Sequence, residues 1–387
     1  MGKDLKGKEL GMGLSQRKDG RYQARFTSRT KERIEKNFTK ISQAKSWLRD
    51  EKYLDDVSHA GNMTVDDWYN VWIQNYKEGV VRDNTSKNYK LRYQLNIKQE
   101  IGYMKLRDVR QLDCQKVINH MCDTNKYKLG TIKLTKVTLH ALFKGAVDNE
   151  YLSKNPAVAL KIKERSGERE ERRVLTREEQ EVFKEYAGKT LYKNAYCLVL
   201  ETGLRCGEVS GLQWQDVDFD NKYIYVRHTL LQNTEKGGFY LGDPKTRESR
   251  RKIPLTNEAI NILKDQEVLQ KKLKLKSTHW NKEWNSLVFT TTNGSPVGHS
   301  TFRNLMVRIV NNINFDRKCS SDDGDYEEFE HCYMHSLRHT FATRCIENGI
   351  QPKTLQKILG HSSINITMDL YVHVTDEQMF REIEKMN

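Results

Sequence analysis

Apolar residues recur at spacings of three and four along most of this chain, the period of helices with one buried face. After Thr64 come Trp68, Val71, Trp72 and Tyr76, with Asp67 placed for an imperfect capping box. Further helices are predicted around Thr85 to Ile101, Asp113 to Cys122 and Thr131 to Asn149, the last ended by Asn155-Pro156. Val174-Leu175-Thr176 with Glu179 is a clearer capping box. Ala195 to Leu200 reads as a buried helix capped by Gly203. His335 opens a helix on which Leu337, Phe341 and Cys345 form a stripe, while His335, Arg338 and Ala342 point the other way and leave room for an anion. Pro352 starts a helix carrying Leu355, Ile358 and Leu359, and Gly360 ends it in a left-handed conformation. A last helix follows Thr375 and Gln378, with Met379, Ile383 and Met386 on one face.

Period two appears twice. Beyond the Asp19-Gly20 turn, Tyr22, Ala24 and Phe26 face one way and Arg21, Gln23 and Arg25 the other. A helix from Thr39, with Ala44, Trp47 and Leu48, follows. Tyr223 to His228 alternates with Ile224 and Val226 on one face, its return strand lies near Lys252 to Leu255, and Lys245 sits on the tip between them. The expected fold is therefore multidomain and mainly α with small β-sheets.

Composition narrows the partner. The 387 residues carry a net charge of +14, which points to nucleic acid or another anionic surface. No apolar run approaches the roughly 18 residues needed to cross a bilayer, and no signal peptide is apparent, so a soluble cytoplasmic protein without a membrane partner is expected. Seven cysteines without a paired framework suggest reduced thiols. Residues 1–58 are basic at the front. Ser58 to Met63 reads as a linker, and the helices of 63–163 follow, with Lys87, Lys90, Arg92 and Lys98 as a basic ridge suited to phosphates. The charged run 164–173 cannot pack a core and reads as a second linker, and 174–387 forms the last domain.

The polar constellations are Thr202-Gly203-Leu204-Arg205-Cys206-Gly207-Glu208, then Lys245, then His335-Ser336-Leu337-Arg338-His339, then Leu359-Gly360-His361, then Tyr371 with His373 close behind. In that order they resemble the tyrosine recombinase family, or phage-type integrases, over roughly Val174 to His373. The Ser363 to His373 wording and the small basic N-terminal module look like integrases of conjugative transposons. The resemblance implies a β-sheet and helix module for arm-type DNA sites, an all-helical core-binding domain and an α+β catalytic domain. It implies that Tyr371 attacks a DNA phosphodiester, forming a 3′-phosphotyrosine and releasing a 5′ hydroxyl, for integration and excision of a mobile element without ATP, metal or other cofactor. Arg205 and Arg338 would bracket the phosphate, Lys245 would protonate the leaving oxygen, and His361 would donate to a phosphate oxygen. His335 would contact the phosphate or accept the Tyr371 proton, with Glu208 orienting Arg205 and with His339 and His373 in support. Arg21, Arg25, Lys87 and Lys90 are the expected DNA contacts. The implied partners are double-stranded DNA at core and arm sites, three further copies in a homotetramer joined by the tail helix, and an accessory excision factor.

Two other readings stay open at this point. Cys319, His331, Cys332, His335 and His339 could form a zinc module, although their spacing matches no common pattern. The basic charge alone would also suit a DNA-binding protein without catalysis. Asp316 to Glu330 departs from the family pattern and reads as an inserted acidic loop, conceivable as a flap over the unassembled site.

Overall fold

The computed structural model describes residues 2–27, 33–57, 63–163, 173–233, 237–244, 247–321 and 325–371, with 53–57, 247 and 371 described by their backbone alone. Both predicted linkers fall largely outside these residues, as do Lys245, His373 and the tail helix. The chain divides into two compact units, 1–169 and 170–387.

The first unit holds two separate cores. In the N-terminal one, the strand Tyr22–Thr27 lies between Leu14–Gln16 and Arg33–Phe38, all antiparallel, and the helix Ile41–Val57 packs on the sheet. Ala24 and Phe26 bury against Leu14, Ala44 and Leu48, while Arg25 stays exposed, as the alternation requires. Gly20 takes φ +83° in the turn, and the Arg17 amide donates to the Arg21 carbonyl across it.

The second core is helical. Thr64 and Asp67 complete a reciprocal capping box at the start of Val65–Tyr76. Trp68 and Trp72 bury completely there, but Val71 and Tyr76 stay more than a third exposed while Tyr69 and Ile73 bury instead, so the buried face is turned from the predicted stripe. The predicted Thr85 to Ile101 helix is a helix Asp83–Arg92, a π turn Tyr93–Ile97 and a last turn Lys98–Ile101. The π turn brings Tyr93, Asn96 and Ile97 inward together. The basic ridge is divided: Lys90 pairs with Glu78 at 2.5 Å and Lys98 with Asp66 at 3.0 Å. Helices Gln111–Asp123 and Leu129–Asp148 complete the core. The last ends before Asn155-Pro156, at an Asn149 cap, and Asn155 instead accepts the Ala157 amide in a local turn.

In the second unit the Thr176–Glu179 capping box starts Arg177–Gly188. Phe183, Tyr196, Phe289, Phe302 and Leu337 lie in one core. The predicted hairpin forms, Tyr223–Val226 pairing with Arg251–Pro254, but the chain between them folds a second hairpin, Thr229–Gln232 against Phe239–Gly242. Two long helices, Asn257–Lys276 and His299–Cys319, carry no prediction above. In the first of them Gln266 and Gln270 occupy buried positions, their side-chain amides donating to the Val288 and Leu287 carbonyls, which interrupts the apolar period. The acidic segment is not a free loop. Its first residues continue the helix to Cys319, and Phe329 and Cys332 return into the core, with the Asn314 side chain bonded to both backbone groups of Phe329.

Candidate active site

Two left-handed glycines and three arginines build the site. Gly203 ends the helix Lys193–Thr202 at φ +63°, and Gly360 ends Pro352–Leu359 at φ +64°. The last carbonyls of a helix lack intrahelical partners and sit at its negative end, so they attract cations. At the end of Pro352–Leu359 three guanidiniums take successive carbonyls. Arg251 Nε donates to Ile358 O at 2.5 Å, Arg338 Nη2 to Leu359 O at 2.6 Å and Arg205 Nη2 to Gly360 O at 2.9 Å. Arg338 Nη1 also donates to Gly203 O at 2.6 Å, joining the two glycine caps.

One carboxylate sits among these cations. Glu208 Oε1 accepts from Arg205 Nη1 at 2.7 Å and Arg251 Nη1 at 2.9 Å, and Oε2 from the Arg205 amide at 2.8 Å and Arg251 Nη2 at 2.9 Å. Burial alone would raise its pKa; the bonds and charges of Arg251 and Arg205 outweigh that and hold it at about 2. Burial, with Arg205 nearby, brings Arg338 down to about 9. Arg338 is only 2% exposed and Ala342 1%, so the helix Met334–Glu347 buries these two as well as Leu337, and of the polar face expected to leave room for an anion His335 stays exposed. Arg205 keeps a third of its side chain exposed.

His361 follows the second cap. Its Nδ1 lies 3.0 Å from the hydroxyl of Thr367, which is completely buried on the helix Ile364–Tyr371. Burial and the charges of Arg338 and Arg205 pull the imidazole pKa down to about 3, so the ring is neutral. The charge of His339 acts in the same direction. His339 also meets the exposed His335 edge to face, ring centres 4.7 Å apart. An open cavity of about 290 Å³ is lined by Arg205, Glu208, His361 and Pro244, the residue before Lys245. Gly207 is required by close approach, since a Cβ there would stand 2.7 Å from the Thr229 methyl.

The fold thus brings Arg205, Arg338 and His361 together from distant segments and sets His335 one contact further out. Tyr371 ends the helix that Thr367 links to His361. Sequence reasoning missed Arg251, which stands beside the return strand already predicted, and gave Thr367 no role although it lies in the Ser363 to His373 stretch. The zinc set does not assemble: Cys332 lies in the core, Cys319 is exposed at a helix end, and no metal-binding cluster of His, Cys, Asp or Glu occurs among the described residues.

The sequence profile of the phage integrase family matches residues 173–378. The chain belongs to the phage integrase family. A profile of the N-terminal SAM-like domain of phage integrases matches 64–122 of this tyrosine recombinase. It is 30% identical to a XerC-like tyrosine recombinase of Caldanaerobacter subterraneus, over 92% of each chain. It is 29% identical to the transposase of transposon Tn916 from Enterococcus faecalis, over all of this chain and 96% of the relative. Among solved structures it resembles the Tn1549 transposon integrase in complex with transposon right end DNA. That match has a TM-score of 0.69 and 27% identity, covering 84% of this chain and 99% of the other. The protein is a tyrosine recombinase of the conjugative-transposon type, an enzyme that breaks and rejoins DNA strands. Among the described residues no helix is long and apolar enough to cross a membrane.

Proposed function

We propose that this recombinase integrates and excises a mobile element by transesterification at Tyr371. The convergence of Arg205, Arg338 and His361 on one helix end supports this reading, with Tyr371 closing the next helix. The Tyr371 oxygen attacks the scissile phosphorus as its proton leaves, and a phosphotyrosine bond forms on the 3′ side. The bond to the 5′ oxygen breaks as that oxygen takes a proton from Lys245. A 5′ hydroxyl of the partner strand then reverses the step, so the ester bond is conserved. A phenol with a pKa near 10 attacks slowly without help. Arg205 and Arg338 supply forked donors to the non-bridging oxygens, which gather negative charge in the transition state. Glu208 orients Arg205. Neutral His361 donates to a phosphate oxygen, and His335 takes up or relays the Tyr371 proton.

The substrate is double-stranded DNA. In this proposal residues 1–58 engage arm sites through Arg21 and Arg25, and 63–163 engage core sites through Lys87 and Lys90. Residues 164–173 join them to the catalytic domain 174–387, and four copies assemble on DNA. The Tn1549 integrase, solved with transposon right end DNA, supports the choice of partner.

Tyr371→Phe is expected to bind its duplex normally and to give no SDS-stable adduct on a nicked suicide substrate; an adduct with this variant removes Tyr371 from the role. Arg205→Lys loses the fork and is expected to cleave about 100-fold more slowly, the scale of one lost transition-state donor. Near-normal cleavage kinetics contradict the assignment.

A further inference from the structure

The Arg205–Glu208 pair raises a problem of charge. A buried carboxylate bonded to one arginine neutralises it, and a neutralised guanidinium stabilises a phosphate transition state poorly. Glu208 is 3% exposed and holds both the Arg205 amide and its Nη1. If it met Arg205 alone, the cation assigned to the phosphate would be spent inside the protein.

Arg251 changes that balance. Its side chain is 5% exposed and its two Nη groups reach both Glu208 oxygens at 2.9 Å. This is a bidentate fork on the carboxylate, the stronger geometry for an arginine–carboxylate pair. Arg205 meets the same carboxylate through one side-chain nitrogen, keeps its other Nη on the Gly360 carbonyl, and remains partly exposed at the cavity. Arg251 Nε meanwhile holds Ile358 O, in the last turn before Gly360 and His361. Arg251 also starts the strand Arg251–Pro254, which pairs with Tyr223–Val226, and donates to Ser249 O at 3.1 Å. One buried side chain therefore ties together the carboxylate, the helix end and the base of the hairpin.

We propose that Arg251 is a positioning residue for strand cleavage: it takes up the Glu208 charge in a bidentate pair, so that Arg205 presents its own positive charge to the scissile phosphate. This rests on the reading of Arg205 as a phosphate ligand. Arg251 touches no substrate atom in this scheme. It acts on the charge and direction of Arg205, so its loss bears on the step in which negative charge grows on the non-bridging oxygens.

The test compares two suicide duplexes in the full chain, one with an ordinary scissile phosphodiester and one with a neutral methylphosphonate at that position. Replacing a charged oxygen by methyl removes the charge that Arg205 would neutralise. Arg251→Met is expected to bind the duplex within about threefold of the parent and to cleave the phosphodiester about 100-fold more slowly, the scale of a misplaced catalytic group, while losing less than about fivefold on the methylphosphonate. A purely structural role would slow both substrates alike, and equal losses, or parental cleavage of the phosphodiester, overturn the proposal. Arg251→Lys covers the case in which the Met variant does not fold. It keeps a cation but cannot span both carboxylate oxygens and the Ile358 carbonyl, so the same contrast is expected at smaller size, and its absence is equally fatal. Arg205→Ala serves as the reference. Should it show no contrast between the substrates, the phosphate role of Arg205 falls and this inference with it; a contrast for Arg205→Ala without one for the Arg251 variants overturns the inference alone.

Discussion

His361 shows how far an environment can move a single residue. Burial first, then Arg338 and Arg205, pull its pKa to about 3, from an ordinary histidine value of about 6.5. The Thr367 hydroxyl, 3.0 Å from Nδ1, fits the tautomer that carries its proton on Nε2, the form that can donate to a phosphate oxygen. The expected outcome in nitrogen-15 NMR of the free protein is a neutral Nε2–H tautomer at pH 7 with no protonation above pH 5; an imidazolium signal at pH 6 contradicts it. The same shift affects stability. A histidine whose folded pKa lies below its unfolded one contributes fully above pH 6.5, and that contribution is lost as pH falls toward 3. Glu208, also depressed, adds a loss between about 4.5 and 2. Denaturant unfolding of His361→Asn should therefore show a shallower decline between pH 6.5 and 5 than the parent, and parallel declines would refute the assignment.

At the scale of elements, the two glycine caps were legible because a helix-period run ending in Gly predicts a left-handed stop. What they hold was not legible. A Cβ on Gly360 would lie 2.9 Å from Arg251 Cδ and 3.1 Å from Glu248 O, and one on Gly203 would run into the Phe341 ring. Gly360→Ala is expected to cost about 1–2 kcal/mol from the left-handed backbone alone. It should also slow adduct formation beyond what the lost stability explains, because it displaces Arg251. Gly203→Ala should destabilise more, since the ring has to move. Urea unfolding beside adduct kinetics checks both; stability and cleavage unchanged in Gly360→Ala would show that the cap tolerates a side chain. The missed helix Asn257–Lys276 has the opposite origin. Buried glutamines there answer backbone carbonyls on a distant segment, and no local pattern announces that.

At the scale of the whole molecule, the +14 charge sets a general attraction for nucleic acid, and the proposed function divides it among the domains as separate tasks. On the N-terminal sheet Arg25 is exposed beside the buried Ala24 and Phe26, and Arg21 is 60% exposed in a pair with Asp19. An exposed pair of this kind contributes little and is easily exchanged for a phosphate. Arg21→Ala combined with Arg25→Ala should weaken arm-site binding at least tenfold, on the order of 1.4 kcal/mol, and leave core-site binding unchanged. Gel-shift titrations on separate arm and core duplexes decide this, and equal affinities for the arm duplex would remove the module from that role.

The amino-acid sequence by itself determined the periodic helices, the capping boxes at Thr64 and Thr176, the strand alternation at Tyr22 to Phe26 and the family to which the chain belongs. Each of these is written in neighbouring residues, where spacing and cap chemistry act over one or two turns. Only the tertiary structure decided that Arg338 is buried, that the acidic segment is anchored by Phe329 and Cys332, and that Arg251 shares Glu208 with Arg205. Those outcomes join residues far apart in the chain. Their cause is the need to satisfy buried charges and helix-end carbonyls, which arises only once the segments have packed.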